Sequence, residues 1–264
     1  MLVISDIHDA ADALARVVRS EPAILILGDL VNLTDYRTGE GAVAEVLGLD
    51  FARSTAVARG RNDYQGMRQM WSGQMGERRQ ALVGEIGERL SAQYERVRLA
   101  LQEGSGYVIH GNVDRPSMLQ EILPPRFEYV HGRAVTIEGV RFGFIGGGMQ
   151  TPLNAVGEIS ETHIMELIDQ LGAVDVLCSH VPPDIEPLRR DVITGRLERA
   201  SGALRDYIVE YRPMFHLFGD VHQPQASIWR VGRTRCVNVG YFRATGRGFR
   251  LDLKSIRRQI ATLT

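Results

Sequence analysis

The chain has 264 residues, enough for one large domain or for a domain that carries an insertion. Hydrophobic residues make up 44% and charged residues 24%, as is usual for globular domains, and the net charge of -1 argues against long nucleic acids as partners. No apolar run approaches the ~20 residues of a membrane span, and no charged leader precedes the first apolar run. We therefore expect a cytoplasmic protein with no membrane partner.

Short apolar runs with strand character recur along the chain and alternate with helical patterns. The strand candidates are 2–5, 23–28, 107–111, 135–147, 174–180, 214–219, 227–232, 234–240 and 248–253, and helices are predicted at 9–20, 160–172 and 199–211. Several early runs are continuously apolar, as strands covered on both faces should be. Alternation early in the chain and hairpins late predict an α/β sandwich with mixed sheets.

Residues 34–104 differ from the rest, since they are rich in Arg, Glu, Gln, Gly and Met and have little strand character. Apolar residues recur at helical spacing through 76–102, which predicts one long amphipathic helix. They are Leu82, Ile86, Leu90, Tyr94, Val97 and Leu101. The stretch before this helix resembles shorter helices joined by loops.

Five of the predicted strands end in side chains that can bind a metal ion. These side chains are Asp6 and His8, Asp29, Asn112 and Asp114, His180, and Asp220 and His222. Singly, each is more typical of a helix cap or a turn. Together they follow one rule, because ligands of open α/β sheets bind at the carboxyl ends of strands. Imidazole and carboxylate ligands without thiolates suit Zn, Mn and Fe.

The order D-x-H, G-D, G-N-x-D, H, G-x-x-H resembles that of the calcineurin-like metallophosphoesterases, over roughly 1–33 and 105–250. "SHVPPD" (179–184) and "VNVGYF" (237–242) are also similar to flanking segments of that family. The resemblance implies a four-layer α-β-β-α sandwich with two mixed sheets, in which 1–264 is a single domain and about 34–104 is a helical insertion. It also implies two divalent metal ions per chain and a small phosphoester or nucleotide substrate.

Carried over by position, the family pattern assigns a ligand set to each ion. Asp6, His8, Asp29 and His222 would hold the first ion, and Asp29, Asn112 and His180 the second. Asp29 would bridge the two, and a bridging hydroxide would attack phosphorus in line with the leaving oxygen. The resemblance thus implies catalytic roles for Asp29, Asn112 and Asp114 without a residue nucleophile. Asp114 is expected to act by hydrogen-bonding a backbone group or a neighbouring ligand.

One departure from the family pattern is Asp220, which stands where the family has a histidine that binds the second ion. A carboxylate can ligate Mn²⁺, Fe²⁺ or Zn²⁺, and its negative charge favours harder ions such as Mn²⁺. Three interpretations remain open: Asp220 binds the second ion, it orients His180 or a bound water, or the second site is weak or empty.

A second departure is Val113, at the centre of the G-N-x-D motif, where many members have a histidine that protonates the leaving oxygen. General acid catalysis contributes typically about 10²–10⁴-fold. Its loss favours esters with good leaving groups, and we expect a phosphodiesterase rather than a monoesterase. His110 and His216 precede the motif residues inside strands, and both are predicted to be structural.

The insertion leaves the scaffold after Asp29 and returns before Asn112, so it is expected to form a cap that selects the substrate. The segment 58–71 contains Arg59, Arg61, Arg68 and aromatic residues, and Arg61 and Arg68, with Arg115, are the candidate substrate-binding arginines. The alternatives are a solvated arginine face, or a homodimer surface that buries the apolar stripe of the long helix.

The sequence therefore predicts a metal-dependent phosphoric ester hydrolase in which Mn is favoured over Fe or Zn. The rival hypothesis is a catalytically weak binding or scaffold protein on the same fold, for which Asp220 and Val113 are the evidence. A phosphomonoesterase or nuclease is the third hypothesis. Metal-dependent turnover separates the hydrolases from the scaffold.

Overall fold

The computed structural model describes residues 1–21 and 23–262. It contains two large mixed β-sheets with helices packed on them. The strands are β1 (Leu2–Ile4), β2 (Ile24–Leu27), β3 (Gly106–Ile109), β4 (Phe127–Tyr129), β5 (Arg133–Ile137), β6 (Val140–Ile145), β7 (Gly148–Met149), β8 (Glu158–Ile159), β9 (Val176–Ser179), β10 (Phe215–Phe218), β11 (Ile228–Val231), β12 (Thr234–Asn238) and β13 (Phe249–Arg250). The helices are α1 (Ala11–Ser20), α2 (Ala42–Leu47), α3 (Leu49–Gly60), α4 (Tyr64–Met75), α5 (Arg79–Leu101), α6 (Pro116–Ile122), α7 (Glu161–Leu171), α8 (Glu186–Arg189), α9 (Gly202–Tyr211), α10 (Phe242–Thr245) and α11 (Leu253–Ala261).

Parallel strands occupy the centre of both sheets. The first sheet has the order β13-β1-β2-β3-β4, and the second has the order β11-β12-β10-β9-β6-β5. Strands β1 to β4 are mutually parallel, as are β6, β9, β10 and β12. The parallel arrangement places the carboxyl ends of neighbouring strands at the same edge of each sheet, which is where loops can meet a ligand.

Side chains on the two faces of each sheet enter different cores, as the two-residue period of a strand requires. Between the sheets, Leu25 and Ile109 of the first sheet pack in one cluster with Phe144 and Leu217 of the second. On the outer face of the first sheet, a cluster joins its strands to α1 and α5, and on the second sheet a cluster joins β6 and β9 to α7 and α9. Each sheet is therefore buried on both faces, which explains the continuously apolar strands.

The long helix predicted over 76–102 is α5, preceded by a 3-10 turn at Gly76–Arg78. All six residues of its apolar stripe are buried within the chain, where the helix packs against α1 and α2. Burying this stripe needs no second copy of the chain, so the reason for expecting a homodimer there does not hold. Helix α5 packs on the outer face of the first sheet. The residues of 34–104 that lie near the carboxyl ends of the strands come from the earlier part of this stretch.

Two predicted strands differ from the observed ones. The run 135–147 is a hairpin of β5 and β6 that turns at Glu138 and Gly139, both with positive φ. The run 248–253 supplies only the two residues of β13 before α11 begins, with Asp252 capping that helix through Ser255 N. Among the described residues, no helix is long and apolar enough to cross a membrane.

Candidate metal centre

The structure brings the predicted ligand side chains together at one edge of the two sheets. Asp6 and His8 follow β1, Asp29 follows β2 and Asn112 follows β3, all in the first sheet. His180 follows β9, and Asp220 and His222 follow β10, all in the second sheet. The site therefore lies where the two sheets meet, with four side chains from the first sheet and three from the second.

The first group consists of Asp6, His8 and His222, whose candidate ligand atoms lie within 4.8 Å of one another. His8 Nε2 is 3.2 Å from His222 Nε2, and His222 Nε2 is 3.5 Å from Asp6 Oδ1. Atoms that bind a common ion at 2.0–2.2 Å lie roughly 3–3.5 Å apart. Two of the three distances lie in or next to this range, and the third, from His8 Nε2 to Asp6 Oδ1, is 3.9 Å, so the group is close to the spacing of a coordination shell.

The second group is centred on His180 Nε2. This nitrogen lies 3.2 Å from Asn112 Oδ1, 3.5 Å from Asp29 Oδ1 and 3.8 Å from Asp220 Oδ1. The other oxygen of Asp29 faces the first group, at 3.6 Å from His8 Nε2. The two oxygens of Asp29 thus point to different groups, which allows the carboxylate to join the two.

Hydrogen bonds to the backbone set which histidine nitrogen faces the centre. His180 Nδ1 donates to Leu27 O at 2.7 Å, and His8 Nδ1 donates to Val31 O at 3.3 Å. Each ring then presents the lone pair of Nε2 to the other candidate ligands, the arrangement usual for histidines that bind metals. His222 Nε2 lies 3.2 Å from His8 Nε2, and either a proton on His222 Nε2 or a cation between the two rings accounts for this approach.

The oxygens of Asp6 give a direct test of whether the residues fit a metal ion. Its Oδ2 accepts the backbone N–H of Asp220 at 3.1 Å, whereas Oδ1 is buried and has no hydrogen-bond partner among the described residues. The histidine nitrogens nearest to it are His222 Nε2 at 3.5 Å and His8 Nε2 at 3.9 Å, and a buried carboxylate oxygen that makes no hydrogen bond is costly. Because Oδ1 faces His8 and His222, a divalent ion would satisfy it, and the donor set fits such an ion.

Backbone strain is concentrated at the same residues. Asp6, His8, Asp29 and Asp220 have φ of 59°, 42°, 54° and 65°, in a region that non-glycine residues seldom adopt. Each such residue costs on the order of 1–3 kcal/mol, and strain of this kind clusters at functional sites. The fold therefore holds these four side chains in place against local preference.

Buried carboxylates crowd the centre with negative charge. Burial raises the pKa of Asp220 to about 7, while His180 lowers this pKa and the charges of Asp29 and Asp6 raise it. Burial disfavours the charged form of Asp29, yet the neighbouring His180 and His8 hold its pKa well below the ordinary value. Burial likewise opposes protonation of His180, but Asp29 raises its pKa. The cluster favours bound positive charge.

Asp114 is a positioning residue rather than a ligand. Its Oδ1 accepts the N–H of Leu30 at 3.0 Å, and its Oδ2 accepts the N–H of Gly111 at 2.8 Å. Tyr94 also donates to Oδ1, at 3.3 Å. The side chain is buried, so it ties the loop after β2 to the loop after β3 from below.

A cleft opens over the centre, between the first part of residues 34–104 and the second sheet. It is lined by His8, Asp29, Asn112, Asp220 and His222, by residues 34–37 and Arg59 of the insertion, and by residues of 191–198 on the opposite wall. The insertion thus contributes a wall of the cleft through its first loop and the end of α3.

The structure does not bring the three candidate arginines to this cleft. Arg61 is exposed, Arg68 donates to the carbonyl of Pro152, and neither they nor Arg115 line the cleft that the described residues form. Arg59 lines it instead, with its guanidinium 4.6 Å from the centre of the Tyr36 ring. Arg59 lies in the last turn of α3, whereas Arg61 follows the end of the helix and is exposed.

Three residues support the centre and were not singled out from the sequence. The ring of Tyr241 stacks on His222 with centroids 3.8 Å apart. Arg243 donates to His8 O at 2.8 Å, and Asn238 Nδ2 donates to Val221 O at 2.8 Å. All three lie in or just after "VNVGYF" (237–242). The resemblance includes this segment but assigns these residues no role.

His110 and His216 make structural contacts, as predicted. His110 Nδ1 bonds with Tyr129 OH at 2.7 Å, and His216 Nε2 with Ser179 Oγ at 2.7 Å. Burial lowers the pKa of each ring to about 3. Cys178 and Cys236 are both buried and unpaired.

Comparison with known proteins identifies the fold and no function. No family model matches the chain, and no curated protein matches it. A crystal structure whose description names no protein is 15% identical, with a TM-score of 0.62 over 91% of this chain and 90% of the other. A protein of unknown function from Aquifex aeolicus is 13% identical, with a TM-score of 0.39 over 100% and 98% of the chains. The first likeness indicates a shared α/β fold, and the second carries no argument.

Proposed function

We propose that the chain is a metal-dependent phosphodiesterase of the calcineurin-like kind, on a four-layer α-β-β-α sandwich whose insertion forms part of a cap. The observation that carries the proposal is the convergence of the Nε2 atoms of His8 and His222 on the unsatisfied buried oxygen of Asp6. Asp29 joins this group to the group around His180, which supports two ions rather than one.

Each predicted ligand has a place in this assignment. Asp6, His8, His222 and one oxygen of Asp29 would hold the first ion, and the other oxygen of Asp29 would hold the second with Asn112, His180 and Asp220. When bound, two divalent ions would neutralise phosphate oxygens and activate a water for in-line attack on phosphorus. Mn²⁺ is favoured because Asp220 adds a negatively charged carboxylate to the donor set, and carboxylates suit the harder ions.

Val113 supports the preference for diesters with good leaving groups. Its side chain is buried and cannot donate a proton, and its backbone N–H donates to Asp29 Oδ1 at 3.1 Å. The residue therefore orients the bridging carboxylate and contributes nothing to the leaving oxygen. An ester whose leaving group departs without protonation suits such a site.

Hydrolysis of bis-p-nitrophenyl phosphate should require added metal. Protein stripped with a chelator is expected to be inactive, and Mn²⁺ should restore cleavage of this diester to a greater extent than cleavage of p-nitrophenyl phosphate. Release of p-nitrophenolate measures both. Absence of turnover of either ester, with one ion or none bound per chain, would identify a binding protein on an inherited scaffold instead.

Replacing Asp220 by Ala should weaken the second ion alone. If Asp220 is a ligand, the dissociation constant of one of two Mn²⁺ ions should rise by at least about tenfold, because even outer partners of ligands typically contribute 10–100-fold. Equilibrium dialysis with metal analysis measures both constants. Asp206→Ala, which removes an exposed carboxylate of α9, is the control. Two unchanged constants in Asp220→Ala would exclude Asp220 as a ligand.

A further inference from the structure

A branch of the cleft extends from the candidate metal centre between the insertion and the segment 194–199. It is lined by Asn112 and Asp220 at the metal end, by Arg59 and Tyr64 on the insertion side, and by Arg196 and Arg199 opposite. Asn112, Asp220 and Arg59 also line the cleft over the centre, so the two spaces are continuous.

We propose that this branch binds a second phosphate group of the substrate. The proposal rests on the proposed function, because it takes the phosphate that is cleaved to lie at the metal centre. The substrate class is then a small phosphoester with another phosphate elsewhere in the molecule, such as an ester of a nucleoside bisphosphate.

The first argument is the charge of the branch. None of the described carboxylates lies within ion-pair distance of Arg59, Arg196 or Arg199, which line the branch together. Arginine remains charged at all physiological pH values. Three unpaired guanidinium groups around one space favour an anionic occupant, and phosphate suits the forked geometry of arginine.

The second argument is the way in which Arg199 is held. Its Nε and Nη2 donate to Tyr64 OH at 3.3 and 3.1 Å, and its Nη1 donates to Gln150 O at 3.3 Å. These contacts engage three of the five N–H donors and leave one on each terminal nitrogen. Arg199 is thus fixed between the insertion and the scaffold with two donors free for a ligand.

Arg59 is available to a ligand for a different reason. Its guanidinium rests over Tyr36 and makes no hydrogen bond to the residues that the structure describes. Stacking on an aromatic ring positions an arginine without using its N–H groups. Arg59 therefore keeps its donors at the junction of cleft and branch.

Glu198 restricts where the second phosphate can lie. This carboxylate lines both the cleft and the branch, close to Asp220. An anion placed directly at the junction would meet both negative charges. The second phosphate is therefore expected further along, on the side of Arg196 and Arg199.

Binding of two matched nucleotides to the Mn²⁺-loaded protein tests the proposal without turnover. Thymidine 3′,5′-bisphosphate should bind at least about tenfold more tightly than thymidine 5′-monophosphate in calorimetric titrations. A tenfold change in Kd corresponds to about 1.4 kcal/mol of binding free energy. Arg199→Met should abolish most of this preference, and Arg199→Lys should retain part of it. Arg78→Met, which removes an exposed arginine paired with Glu85, should keep the wild-type preference.

Equal affinities of the wild type for the two nucleotides would overturn the proposal, as would a full preference in Arg199→Met. If that variant does not fold, Arg196→Met provides the same comparison. The p-nitrophenyl ester of thymidine 5′-phosphate, with and without a 3′-phosphate, separates this proposal from the proposed function. Turnover without a preference for the 3′-phosphate would support the hydrolase and contradict the phosphate subsite. Binding that depends on Arg199 without turnover would support the subsite and contradict the hydrolase.

Discussion

Replacing Asp29 by Asn should lower kcat/KM for bis-p-nitrophenyl phosphate by about 10³-fold or more, since a loss of ~4 kcal/mol of transition-state stabilisation has that effect. The carboxylate is buried, and its two oxygens face His8 and His180 separately. An amide of the same shape keeps one oxygen and turns an N–H donor toward the other ligand group. Both ions would therefore lose affinity, and steady-state kinetics with metal analysis should show the two losses together.

The matched control for this change is Asp50→Asn, which neutralises an exposed carboxylate at the start of α3. Its activity and metal content should equal those of the wild type. If Asp29→Asn keeps activity within tenfold of the wild type and still binds two ions, Asp29 is not the bridge between the two groups.

Gly111→Ala should disrupt both the fold around the centre and the binding of metal. An added Cβ would lie 2.1 Å from Asp29 Oδ1, 2.6 Å from Asp29 N and 2.7 Å from His180 Cε1. Two of these atoms are in the side chains of candidate ligands. The third is the backbone nitrogen of Asp29, which cannot move without moving the end of β2. Overpacking of this kind costs about 1–3 kcal/mol, and more where the surroundings are rigid.

Gly84→Ala is the opposite case and makes a direct comparison. Gly84 lies within α5, and a Cβ there would meet nothing within 4 Å. The change should raise the free energy of unfolding by about 0.5–1 kcal/mol, because alanine loses less conformational entropy in a helix. Urea unfolding of the metal-free proteins measures both changes. A Gly111→Ala protein as stable as the wild type would show that the loops after β2 and β3 are not closely packed.

The positions of the candidate ligands along the chain can be read from the sequence alone. Apolar runs followed by Asp, His or Asn can be seen locally, because a strand and the first residues after it are contiguous. For the same reason the main strands and the long helix α5 were predicted within a few residues of their observed bounds. The hairpin inside 135–147 was missed because both of its strands are apolar enough to read as one run.

Contacts between residues that are distant along the chain cannot be read from the sequence in this way. The approach of His180 to Asn112 and Asp220, the stacking of Tyr241 on His222, and the choice of Arg59 over Arg61 all depend on how separate segments pack. The apolar stripe of α5 was visible in the sequence, but its partners were not. A pattern of apolar residues indicates that one face of a helix is buried. Which elements bury that face of α5 is determined by its packing against α1 and the first sheet.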